Sequence, residues 1–129
     1  MCSLHKGEYC MISDFTHWLE GIVEDDPVPY EVKNICFVYT QTNNCFSLFM
    51  GGTENYPTLN NMFDYFPLEA QYYNFNELYK IKDLHHFTKM CKYLIDECFS
   101  SVVLKTQFAQ KRIFWGEYGA KPELLFNLY

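Results

Sequence analysis

The chain has one arginine, Arg112, among its 129 residues. Arginine is the preferred fork for phosphates and guanine edges. Its scarcity, with a formal net charge of −6, argues against direct nucleic-acid binding, because a negative field repels polyanions. Long apolar runs are also missing: none approaches the ~20 residues that span a bilayer. The opening stretch Met1 to Gly7 lacks the apolar core of a secretory leader. Membrane and secreted classes therefore drop out, and a cytoplasmic chain is expected. Six glycines and five prolines, without repeat or low-complexity tract, exclude collagenous and linker-like sequences.

Reaction motifs are missing too. Gly51-Gly52 is followed by Thr53-Glu54, with no lysine to meet a phosphate as a Walker loop requires. Two glycines do not make a dinucleotide fingerprint, which needs three after a strand. There is no nucleophile elbow, HExxH or EF-hand loop. Cys2, His5, Cys10 and His17 crowd the first 17 residues, but C-x2-H-x4-C-x6-H is not a standard zinc spacing, and a mobile arm is the simpler expectation. His85 and His86 are adjacent at a helix start, so they point about 100° apart and do not chelate one ion. Pairing Cys45 with His86 as nucleophile and base requires a proximity that spacing does not supply. No catalytic residue, metal or cofactor is expected, and the chain is not expected to be an enzyme.

What is present is apolar and acidic. Hydrophobic residues make up 49% of the chain and aromatics 19%, enough for a packed core. Length indicates a single domain over 1–129. Charge is uneven. Before residue 78 there are eleven acids against two lysines, and after it five acids against eight bases. The densest point is Glu24-Asp25-Asp26, within a stretch that its prolines mark as a loop. The six cysteines read as reduced thiols that serve as small hydrophobes, with Cys36 on a strand and Cys91 and Cys98 on one helix face.

Periodicity predicts a helix over 14–24, capped by Ser13, with Phe15, Trp18, Leu19, Ile22 and Val23 on one stripe. Strands over 32–39 and 45–50 are separated by a short turn and form an antiparallel hairpin, apolar on both faces and so central in a sheet. Gly51 to Pro57 is expected to leave as a flexible loop. A third strand is expected within 68–75. A second helix over 83–99, capped by Asp83, carries Leu84, Phe87, Cys91, Leu94, Ile95, Cys98 and Phe99 on one face. Residues 101–110 fit either a helix or a strand. Residues 111–118 suggest a strand, and Leu124-Leu125-Phe126 a tail that docks. The fold class is α+β: a mainly antiparallel sheet with helices packed on one face.

Aromatics exceed what a core of this size needs, so some tyrosines are expected at the surface, with Tyr56, Tyr65, Tyr72, Tyr73 and Tyr118 as candidates. In size, acidity and lack of motif the chain resembles bacterial immunity proteins of the contact-dependent inhibition type. Such families share no common motif, so no residue is carried over. The resemblance implies a toxin inhibitor that occludes a basic, nuclease-type toxin domain, its acids standing in for phosphates and its aromatics anchoring the complex. The residues expected to carry this are Glu24, Asp25, Asp26, Glu54, Tyr56, Asp64 and Tyr65. The alternative is a small-ligand-binding or catalytic domain with a pocket between the sheet and the second helix, holding His86 or Cys45 beside a carboxylate.

Overall fold

A computed structural model describes residues 6–42, 45–58, 63–67, 72–75 and 81–128. Helix α1 runs over Lys6–Asp25, followed by strands β1 (Asn34–Thr42), β2 (Cys45–Thr53) and β3 (Tyr73–Phe75). Helices α2 (Leu84–Cys98) and α3 (Val102–Gln107) then lead to β4 (Lys111–Glu117) and β5 (Glu123–Leu128). The strands form one sheet in the order β3-β2-β1-β4-β5. Every neighbouring pair is antiparallel except β1 with β4. The fold is α+β, as expected. No helix among the described residues is long and apolar enough to cross a membrane.

Strand alternation gives the sheet two different faces. Ile35, Phe37, Tyr39, Leu48, Met50, Ile113 and Trp115 point to the helices and join Phe15, Leu19, Phe87, Cys91, Leu94 and Ile95 in the main core. Cys36, Val38, Phe49 and Phe114 point the other way and form a second, smaller cluster with Phe63. Among the described residues no helix covers that second face; the chain after β2 crosses it instead.

Several boundaries differ from expectation. Helix α1 begins at Lys6 rather than at 14, and Ser13 lies inside it. Met11 and Ile12, one turn before Phe15, pack against the core, so the apolar stripe carries the helix past the polar residue. Ser101 caps α3 by accepting from the Leu104 amide at 3.3 Å, so of 101–110 the part Val102–Gln107 is helix and 108–110 a turn. Asp83 caps α2 as expected, accepting from the His86 amide at 2.8 Å. The tail docks as β5 against β4. Of the expected third strand, 68–71 lies outside the described residues.

Gly51 and Gly52 are not in a loop; they finish β2, paired with Cys36 and Ile35. Their lack of a side chain serves close packing. A Cβ on Gly51 would lie 2.3 Å from the Phe63 ring and 2.8 Å from the Tyr65 carbonyl. Glycine here is what allows the returning chain to lie flat on the sheet.

Candidate functional site

The residues expected to bind a partner come from two distant stretches, and hydrogen bonds bring those stretches to one end of the sheet. After β2 the chain folds back so that Gly52 and Tyr65 exchange backbone bonds at 2.8 and 2.9 Å. This places the Tyr65 hydroxyl to donate to the Asp26 carbonyl at 2.5 Å, which ties the end of α1 to the 63–67 segment. Asp64 accepts through Oδ2 from the Thr53 hydroxyl and the Glu54 amide, both at 2.9 Å. Both bonds favour its charged form, the amide more strongly, and hold its pKa below the usual carboxylate range.

Glu24, Asp25, Glu54, Tyr56 and Asp64 are exposed at this end, and Asp26 is half-buried. Tyr65 corrects the expectation. It is only 5% exposed, and burial, then the Asp26 charge, pushes its hydroxyl pKa upward. It is the rivet beneath the surface and not an anchor on it. Tyr73 is likewise half-buried, in ring contact with Phe15, Trp18 and Phe75.

A residue that sequence reasoning missed organises the turn. Asn34, 1% exposed, donates through Nδ2 to the carbonyls of Thr53, Glu54 and Asn55 at 3.2, 3.3 and 2.8 Å. Its Oδ1 accepts from Arg112 Nη1 at 3.2 Å. An asparagine at a strand start gives no local sign of this role, because all its partners are distant in sequence.

The sheet face opposite the helices supplies the aromatics. Phe66, Tyr72 and Tyr118 surround buried Phe49 at ring distances of 5.7, 5.2 and 6.2 Å. Tyr56 stands edge-on to Phe114 at 5.1 Å. All four outer rings are exposed, from Phe66 at 45% to Tyr118 at 67%. Among the described residues one ion pair occurs, Lys92 with Glu123 at 2.8 Å, so Glu24, Asp25, Glu54 and Asp64 have no cationic partner there.

The pocket expected between the sheet and the second helix is not found among the described residues. The space between the sheet and α2 is filled: Phe87, Cys91, Leu94 and Ile95 are at most 1% exposed, and Phe87 stacks on Phe46 at 4.2 Å. His86 Nδ1 accepts from the Lys82 amide at 3.0 Å, and no hydrogen bond joins it to exposed Cys45 among the described residues. A cleft of about 560 Å³ between α1 and α2 holds His17, Glu20 and Ser101. There Ser101 donates to Glu20 at 2.5 Å while capping α3, so both side chains serve the packing of α3 on α1. Cys2 and His5 of the N-terminal set lie outside the described residues. Among those described, no group of three or more ligands is placed to hold a metal ion.

No family model, curated protein or solved structure matches the chain. Function therefore rests on this chain's own chemistry.

Proposed function

We infer that the protein neutralises a basic protein partner by covering it, as the bacterial immunity proteins it resembles cover their toxins. One observation carries this: exposed rings on the sheet face opposite the helices adjoin an end of the sheet that carries Glu24, Asp25, Glu54 and Asp64, none of them in an ion pair among the described residues. An apolar centre with a charged rim is the usual anatomy of a protein interface. Tyr56, Tyr72 and Tyr118 offer buried area at small entropic cost, while Glu24, Asp25, Glu54 and Asp64 steer a basic surface toward them. Occlusion needs no reaction chemistry. A nuclease-type toxin domain fits as partner because its substrate groove is basic.

The test is capture with the products of neighbouring genes as baits, followed by an assay of the captured protein's activity. One basic protein should be retained and inhibited. Its association should slow with salt and with charge reversal at Asp25 and Glu54, and dissociation should quicken in Tyr118→Ala. Failure of every bait at low and high salt would overturn the proposal.

A further inference from the structure

At the end of the sheet where β1 and β4 begin and β5 finishes, a cleft of about 600 Å³ is lined by Lys33, Gln110, Lys111, Arg112, Asn127 and Leu128. In a chain of net charge −6, three cations and, among the described residues, no acid line this space. The parallel pairing of β1 with β4 brings them together: Arg112 lies opposite Asn34, and its amide donates to the Lys33 carbonyl at 2.9 Å. We propose that this cleft binds the phosphate group of a small phosphate monoester.

Among the described residues none of these cations is in an ion pair with a carboxylate. The Lys33 ammonium has the ring of Tyr30, 3.9 Å from its centroid. Arg112 spends one donor on the neutral amide of Asn34, leaving most of its five N–H groups for an acceptor. Lys111 is buried and donates to the carbonyls of Val32 and Pro29. Burial first, and then the charge of Lys33, push the Lys111 pKa down; Glu31, outside the lining, offsets this with the smallest effect of the three. A bound dianion would relieve that repulsion.

Gln110 adds an independent sign. It is the one non-glycine residue with positive φ, 62°, among those described. A turn alone would favour Gly or Asn there, and such strain, about 1 kcal/mol or more, persists where the surroundings hold it, often at ligand sites. Gln110 and Asn127 both line the cleft and add amide groups to it. The arginine fork and the Lys33 ammonium suit phosphate oxygens, while buried Lys111 adds its charge from behind, its ammonium held by the Val32 and Pro29 carbonyls. The volume falls within the range of small-molecule sites, about 300–1,000 Å³, and exceeds what one phosphate ion fills, with Leu128 as an apolar wall for the ester's organic part. Arg112 also lies 5.8 Å from the ring centroid of Tyr56, so the cleft adjoins the proposed interface; it uses cations rather than the acids of that interface, and its test does not depend on that proposal.

The experiment is a ¹⁵N-resolved NMR titration of the full chain with inorganic phosphate, glycerol 3-phosphate and adenosine monophosphate, at constant ionic strength set by chloride. Saturable shifts of the Lys33, Arg112 and Asn127 amides are expected, with at least one ester tighter than phosphate. Lys33→Gln and Arg112→Gln should each weaken binding by about tenfold or more, as for a lost charge-assisted bond. Lys33 makes no side-chain hydrogen bond among the described residues, so its variant's spectrum should otherwise match the parent. Absence of saturation, equal binding by Lys33→Gln, or phosphate binding as tightly as both esters would overturn the assignment.

Discussion

Asp64 holds its turn through its charge. Its carboxylate accepts from Thr53 and Glu54, and those bonds lower its pKa in the folded state. A depressed pKa means stability that is fully present above the unfolded value, about 3.9, and is lost as pH falls through the folded one. Asp64→Asn should therefore be less stable than the parent at neutral pH, and the difference should vanish in acid below the folded pKa. Urea melts of both proteins across that range check this; a gap that persists undiminished in acid would show that charge is not the cause. Asp64 was visible in the sequence as an acid, but its bonds were not. The same holds for Tyr65, whose ring looks like any surface tyrosine until the antiparallel exchange with Gly52 turns it inward.

At the scale of the element, α1 ends against its own dipole. Glu24 and Asp25 occupy its last turn, which holds no basic residue. Acids there face the negative end of the helix and cost stability. Such a conflict is expected where function sets the residue. Asp25→Lys should raise stability by about 0.5 kcal/mol while slowing association with a basic partner. Denaturant midpoints and association rates measured on one preparation would separate the two effects; a variant that loses stability would show that Asp25 is needed for the helix end. The helix itself was legible from its apolar stripe. Its start was not, because Ser13 marks a cap by residue type and only packing of Met11 and Ile12 on the core cancels that mark.

For the whole molecule, the division of the sheet into two faces governs access. Cys91 and Cys98 sit in the helix-side core and Cys36 beneath the aromatic face, all buried, while Cys45 is exposed. Burial pushes the Cys36 thiol pKa up to about 12 and raises those of Cys91 and Cys98 as well. Thiolate is the reactive form, so iodoacetamide should modify Cys45 in the native protein and reach Cys36, Cys91 and Cys98 only after unfolding. Peptide mapping by mass spectrometry reads this directly. Native labelling of Cys91 at the rate of Cys45 would contradict the packing of α2 on the sheet.

The amino-acid sequence by itself determined the α+β class, the central hairpin, the capped helix α2 and the docked tail. Each is written in local periodicity, capping chemistry or turn residues. Tertiary structure alone decided the parallel pairing of β1 with β4, the use of Gly51 as a landing for Phe63, the inward turn of Tyr65 and the gathering of Lys33, Lys111 and Arg112 in one cleft. Those depend on which distant strands become neighbours. Strand pairing follows from how whole faces are buried, and a period of two residues along one strand says which side is apolar but not what will lie beside it.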